Sequence, residues 1–210
     1  MLKTIKENTS SEIVEKKSKF IANLFYVQSQ EEAEEKIKEI KRKYHDAKHH
    51  CYAYSIMTES GIVNRMSDDG EPSGTAGNPM LNILTKQELV NVLVVVTRYF
   101  GGILLGTGGL VKAYSQATIA SIEKAELVTE ERGYELEIII DYSEFEKFQY
   151  YCQKNGLSII KVEYEEKIKC VLEVTKEEKD KILILKEEGT LKIEDCKIIK
   201  EKNIRKNIEK

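Results

Sequence analysis

The stretch Ser67-Asp68-Asp69-Gly70-Glu71-Pro72-Ser73-Gly74-Thr75-Ala76-Gly77 sets three carboxylates among small residues and a proline. Hard cations prefer carboxylate and carbonyl oxygens, so Asp68, Asp69 and Glu71 could hold Mg²⁺. The spacing speaks against this. Relative to Gly70, Arg65 and Ser67 stand where an EF-hand needs its first two ligands. Turn chemistry and helix capping account better for the loop, and no metal or cofactor is expected. Ser73 also fails as a hydrolase nucleophile, because Glu71 occupies the place of the first glycine in G-x-S-x-G.

A second stretch, Arg98-Tyr99-Phe100-Gly101-Gly102-Ile103-Leu104-Leu105-Gly106-Thr107-Gly108-Gly109, follows a strand-like run and precedes a helix-like one. Strand, glycine turn and helix N-terminus together can present backbone N–H groups to an anion. Arg98 and Lys112 would be the cationic neighbours and the Gly108 and Gly109 amides the donors, with Gly101, Gly102 and Gly106 letting a ligand approach the chain; the alternative is that these glycines serve only tight turns and close helix–sheet packing. Tyr99 and Phe100 beside Arg98 form a trio able to stack bases while touching phosphate. Two nucleotide fingerprints fail here. Val111 stands where G-x-G-x-x-G needs its last glycine, and Gly101 to Thr107 lacks the P-loop lysine.

The three histidines, His45, His49 and His50, are close in sequence. A four-residue spacing could put His45 and His49 on one helix face as metal ligands. The preceding helix is expected to end near Tyr44, however, which places His49 and His50 at the entrance of the next strand with opposite facings. His49 and Cys51 could imitate a base and a nucleophile, but no third group to orient them is identifiable. The four cysteines, Cys51, Cys152, Cys170 and Cys196, show no C-x-x-C spacing and are expected to be buried, reduced thiols.

The elements that must position these residues can be read from period and punctuation. Phe20–Val27 and Cys51–Met57 have strand character. Between them Ser29-Gln30-Glu31-Glu32 is a capping box, followed by Ala33, Ile37, Ile40 and Tyr44 at helical spacing. Ser60-Gly61, preceded by Glu59, signals a turn, and Asn64 to Gly77 is expected to be loop. A helix is expected over Pro79 to Lys86. Val92-Leu93-Val94-Val95-Val96-Thr97 is the expected central strand, since a continuous β-branched run is the mark of burial on both faces. After the glycines, Leu110, Ala113, Tyr114, Ala117, Ile119, Ala120 and Ile122 outline a long helix with a broad apolar stripe.

Gly133 is expected to break the chain, which gives two domains over residues 1–132 and 133–210. Beyond it a strand at Tyr134–Ile140, a helix opened by a capping box at Ser143 to Glu146 and two alternating strands follow in turn. A helix capped by Thr175 to Glu178 and a last strand over Leu191–Lys200 complete a βαββαβ order. That is the ferredoxin-like arrangement.

A hydrophobic share of 41% with 33% charged residues fits an ordinary α/β protein rather than a disordered one. No apolar run approaches the length needed to cross a bilayer and the first residues lack a signal-type apolar core, so no membrane partner and a cytoplasmic location are expected. A formal net charge of −3, with bases and acids nearly balanced on each side of Gly133, excludes a protein that coats nucleic acid through bulk cationic charge.

His49-His50-Cys51-Tyr52-Ala53-Tyr54, then Ser67 to Gly77, then Arg98 to Tyr114 occur in one order, and together they resemble the IMPACT/YigZ family. Alanine is common in that family where Ser73 stands. The resemblance covers most of residues 1–130, and the remainder is similar to the smaller C-terminal domain of bacterial members. It implies an α/β (α+β) fold class with a ribosomal-protein-S5 domain-2-like first domain and a ferredoxin-like second one. It also implies a role in translation, because eukaryotic relatives engage a ribosome-associated activator of a stress kinase. The expectation is a binding protein that contacts RNA, the ribosome or a translation factor through the surface around Asp68–Gly77 and Arg98–Lys112. The rival is an enzyme acting on a nucleotide or phosphorylated small molecule in the same cleft.

Overall fold

The computed structural model describes residues 2–58 and 60–208. The chain divides into a first unit running to Thr129 and a second covering Glu130–Lys206.

The first unit is built on a five-stranded antiparallel sheet in the order β2-β3-β6-β4-β5. Its strands are β2 (Thr9–Glu15), β3 (Ser18–Tyr26), β4 (His49–Thr58), β5 (Gly61–Ser67) and β6 (Val92–Tyr99). A short β1 (Lys3–Ile5) pairs with the first residues of β7 (Leu127–Ile140). The run Val92–Val96 is apolar throughout because β6 is the middle strand and both its faces are covered. Val92, Val94 and Val96 pack with Met80 and Leu84 of α2 (Gly77–Lys86) and with Leu110, Ala113, Tyr114 and Ala117 of α3 (Gly106–Glu123). Leu93 and Val95 pack on the other face with Ala33, Ile37 and Ile40 of α1 (Gln30–Lys43). Each Val, Leu, Ile or Met among them, fully buried, contributes about 1.5–3 kcal/mol.

Sequence reading missed β1 and β2, and β5 corrects the expected loop over Asn64–Gly77. Residues Asn64 to Ser67 are strand because they pair with Ser55 to Tyr52 of β4; a tertiary partner overrides their weak strand propensity. The expected turn before β5 is present at Gly61, whose φ is +124°, while Glu59 lies outside the described residues. β2 and β3 are joined by a two-residue turn, Lys16-Lys17, with Glu15 paired to Ser18. Both lysines have positive φ, 44° and 63°, at a cost of roughly 1 kcal/mol each for a residue with a Cβ.

In the second unit β7 continues into α4 (Tyr142–Lys154), β8 (Ser158–Tyr164), β9 (Ile168–Thr175), α5 (Lys176–Glu187) and β10 (Ile193–Asn207). The strand order β10-β7-β9-β8 is that of a ferredoxin-like βαββαβ fold. Leu136, Ile138 and Ile140 alternate into a core with Phe145, Phe148 and Ile182. Thr175 and Glu178 form the expected capping box. Two expectations are corrected here. The cap of α4 is Asp141, not Ser143, which lies in the first helical turn. Gly133 does not break the chain but sits inside β7, where a Cβ would stand 2.4 Å from both Ile204 Cγ1 and the Val174 carbonyl oxygen. Glycine is required there by crowding, not by a turn.

Candidate functional site

The register of the first sheet sets His49 opposite Arg98 and His50 opposite Thr97, so β4 delivers the histidines to the same end of the sheet as the start of the second glycine stretch. The loop leaving β5 folds back over that end and is closed by its own polar atoms. Asp68 Oδ2 accepts from the Gly74 N–H at 2.8 Å, and Oδ1 accepts from those of Ala76 at 3.0 Å and Gly77 at 2.8 Å. The last two amides are orphans of the α2 N-terminus, whose own N-cap, Ala76, has no side chain to offer. Burial pulls the Asp68 pKa up, but the three amides outweigh it and hold the carboxyl below its ordinary value.

Asp69 is held from two sides. Lys41 of α1 reaches Oδ1 at 2.7 Å, and the His50 N–H donates to Oδ2 at 2.7 Å. Burial opposes ionisation of this carboxyl too, and these contacts again leave its pKa lowered. The Asp69 carbonyl lies 2.8 Å from His49 Nδ1. A carbonyl only accepts, so Nδ1 carries the proton. His50 has its pKa lowered chiefly by burial, and its ring meets Thr97 Oγ1 at 3.1 Å.

Beneath the loop lies a buried ion pair. Glu71 Oε1 accepts from Arg98 Nη1 at 2.7 Å and from the Tyr114 hydroxyl at 2.8 Å. Glu71 is 8% exposed and Arg98 7%. The Arg98 guanidinium also lies over the rings of Phe20 and Phe100, 5.5 and 5.6 Å from their centroids, and among the described residues its Nε has no hydrogen-bond partner. The Cys51 thiol sits beside this pair, 3.3 Å from the Tyr114 hydroxyl and 2.9 Å from the Asp68 carbonyl. Burial pushes its pKa up to about 12, which leaves almost no thiolate at neutral pH and makes it a poor nucleophile.

The second glycine stretch is different. Phe100 is 56% exposed and Leu104 83%, with Ile103 exposed between them. Gly102 and Gly106 have φ of +82° and +70°, and a Cβ at either, or at Gly108, would meet nothing within 4 Å. The N-cap of α3, Leu105, makes no side-chain bond, and the first turn carries no acid. Among the described residues, then, neither the N-cap nor the first turn of this long helix supplies a counter-charge to its dipole. Lys112 is exposed one turn further along. Tyr99 stands at the end of β6, its hydroxyl donating to Asp46 at 2.7 Å; that bond, with burial second, raises its pKa to about 12.

The candidate residues thus separate into two groups. Asp68, Asp69, Glu71 and Arg98 are each engaged by partners within the fold, Glu71 and Arg98 as a buried pair and the two aspartates half-buried in separate contacts, with Gly101 pressed against the β2–β3 turn, where a Cβ would lie 2.0 Å from the Lys17 carbonyl carbon. Gly109 packs on Leu105, at 3.1 Å for an added Cβ. Tyr99, Gly102, Gly106, Gly108 and Lys112 lie on the outward side. Sequence reasoning missed Lys41 and Tyr114, whose helical positions signalled only a solvated face and a core stripe. It also missed Lys16 and Lys17, since a turn without Asn or Gly gives no hairpin signal.

Residues 16–122 match the Impact N-terminal domain, and residues 138–183 match a domain of unknown function, DUF1949. The chain belongs to the IMPACT family. It is similar to the IMPACT family member YvyE of Bacillus subtilis (strain 168), 38% identical over 79% of this chain and 76% of that one. The IMPACT family member YigZ of Escherichia coli (strain K12) is 46% identical over 47% of this chain and 49% of its own. A solved structure described as a hypothetical protein shares the architecture over 99% of this chain and 97% of that one, with a TM-score of 0.61 and 26% identity. All three motifs of the first unit fall within the matched Impact N-terminal segment. Among the described residues no helix is long and apolar enough to cross a membrane.

Proposed function

We propose that this IMPACT family member acts by binding, in the regulation of translation, and contacts RNA, the ribosome or a translation factor through the outward surface from Tyr99 to Lys112. The observation that carries this reading is the open β6–α3 loop. Exposed Phe100, Ile103 and Leu104 stand beside Gly102 and Gly106, which have free space over them, ahead of a helix with no side-chain cap. Contiguous exposed apolar side chains beside a helix N-terminus without a side-chain cap mark a contact surface. The groups that could perform acid-base or nucleophilic chemistry nearby are engaged: Asp68 by amides, Glu71 by Arg98 and Tyr114, and Cys51 by its burial. Translation is the setting implied by the resemblance of the three motifs to the family's eukaryotic members, and with it a cytoplasmic place of action.

Cosedimentation with ribosomes at low and moderate salt tests the reading. The protein is expected in the ribosomal pellet, and Leu104→Asp is expected to release it with the fold unchanged by circular dichroism. No pelleting at either salt concentration sinks the proposal.

The outward amides of α3 also support a second reading, an enzyme acting on a nucleotide or phosphorylated small molecule. A thermal-shift series separates the two. Stabilisation by a nucleotide at 100 times its dissociation constant amounts to about 2.7 kcal/mol, and silence across nucleotides at millimolar concentration removes the second reading.

A further inference from the structure

The turn Lys16-Lys17 has no structural reason to consist of two lysines. A two-residue hairpin with both φ positive is served best by Asn-Gly, yet this chain keeps two long cationic side chains in the left-handed region. Backbone strain that local sequence could relieve points to a use for the side chains. Both lysines are exposed, and among the described residues neither has an ion-pair partner. The nearby Glu12 is instead taken by Lys19, at 3.6 Å. The turn is also fixed against the open loop. Gly101 approaches Lys17 too closely for any Cβ, its N–H donates to Ser18 Oγ at 3.2 Å, and Lys19 lies over the Tyr99 ring at 5.6 Å. The hairpin tip and the Phe100–Gly109 loop are therefore one continuous surface. On it Phe100 stands with Arg98 behind one face of its ring and more than half of its area open.

We propose that this joint surface binds single-stranded RNA, with Lys16 and Lys17 on backbone phosphates and the open face of Phe100 stacked on a base. The proposal rests on the binding reading above and narrows its partner. Cations flanking an exposed aromatic ring, with glycine-bared amides beside it, are the components of a sequence-tolerant single-strand site. An acidic protein segment would use the lysines but has no need of a flat ring with one free face.

The test is fluorescence anisotropy of labelled U12 RNA over a salt series, with the full chain and two variants. Lys16→Asn/Lys17→Gly removes both charges while giving the turn the residues it prefers. It is expected to melt about 2–4 °C higher and to bind U12 at least tenfold more weakly. Its log-log salt slope should be shallower by about 1.4, the share of two phosphate contacts on a single strand. Phe100→Leu keeps the apolar contact and loses the flat face, so it should weaken binding about fivefold or more with the slope unchanged. Unaltered affinity in the double variant overturns the assignment, as does displacement of U12 by polyglutamate of equal charge, which would mark an acidic protein as the partner. Wild-type protein that pellets with ribosomes yet ignores U12 in 50 mM salt overturns this proposal and leaves the broader reading standing. Failure to pellet, with U12 bound as described, does the reverse.

Discussion

Two glycine-rich loops flank one end of the same sheet, and they do opposite things. In the loop from Asp68 to Gly77, Gly74, Ala76 and Gly77 turn their amides inward onto Asp68, and Glu71 reaches under them to Arg98. In the loop from Phe100 to Gly109 the N-cap of α3 offers no side-chain acceptor and the first turn no acid, and Phe100, Ile103 and Leu104 are exposed while Leu105 packs against the core. The difference lies in where the counter-charge comes from. One loop contains its own carboxylates, so its polar groups are satisfied before any ligand arrives. The other contains none, so its satisfaction is left to water or a partner. Glycine content alone does not distinguish a structural knot from a contact surface.

The largest contrast should appear on removing charge from the closed loop. Glu71→Ala leaves the Arg98 guanidinium buried without its carboxylate and the Tyr114 hydroxyl without its acceptor. Breaking a buried pair in this way costs about 3–5 kcal/mol, readable by urea unfolding. Leu104→Ala in the open loop should stay within about 0.5 kcal/mol of the parent, as surface changes do. A Glu71→Ala protein less than about 1 kcal/mol below the parent would mean that the ion pair does not hold the loop, and the contrast between the two loops would collapse. The same geometry removes Arg98→Ala as a probe of ligand binding, because its first effect would be on the fold.

Within the open loop one glycine belongs to the other class. Gly101→Ala puts a Cβ into the Lys17 backbone, where no flexible atom can yield, and overpacking of this kind costs about 1–3 kcal/mol. Gly102→Ala meets nothing and bears only the strain of its positive φ, roughly 1 kcal/mol. Equal losses in the two variants would show that the hairpin tip is not seated on Gly101.

This division was only partly legible in the sequence. The central strand was, since five consecutive apolar residues at Val92–Val96 can be accommodated only between two covered faces. The placement of His49 and His50 on a strand followed from the end of α1 at Tyr44, and the order of elements in the second unit followed from its caps and alternation. What could not be read is which polar groups meet. Glu71 and Arg98 are 27 residues apart and Glu71 and Tyr114 are 43 apart, and no periodicity links them. The same holds for β5, whose Asn64, Arg65 and Ser67 become strand only because β4 lies alongside.

Asp68 gives a smaller, pH-dependent test. Asp68→Asn turns an N–H group toward one of the three amides and deletes the charge, at a cost of about 1–2 kcal/mol at pH 7. The folded pKa of Asp68 is depressed below its ordinary 3.8. Its contribution is therefore fully present above that value and is lost as pH falls through the folded pKa. The stability gap between parent and Asp68→Asn should hold from pH 7 to about 5 and then narrow as the pH drops below 3.8. A gap that stays constant down to pH 2.5 would show that shape, not charge, closes the loop.

The smallest effect should have the opposite sign. Gly108 lies in the first turn of α3 with nothing within 4 Å of an added Cβ and no positive φ. Alanine there relieves the entropic cost of a helical glycine, for a gain of about 0.5–1 kcal/mol. Gly109→Ala, whose Cβ would meet Leu105 at 3.1 Å, should give less of that gain or none. If the open loop exists to be approached by a partner, the Gly108→Ala methyl stands in the path, so melting temperature should rise while ribosome cosedimentation falls. A more stable variant with full cosedimentation would leave Gly108 outside the contact and shift the surface toward Phe100 and the hairpin lysines. A less stable one would mean that the start of α3 is not free, and that the two loops are more alike than their hydrogen bonds indicate.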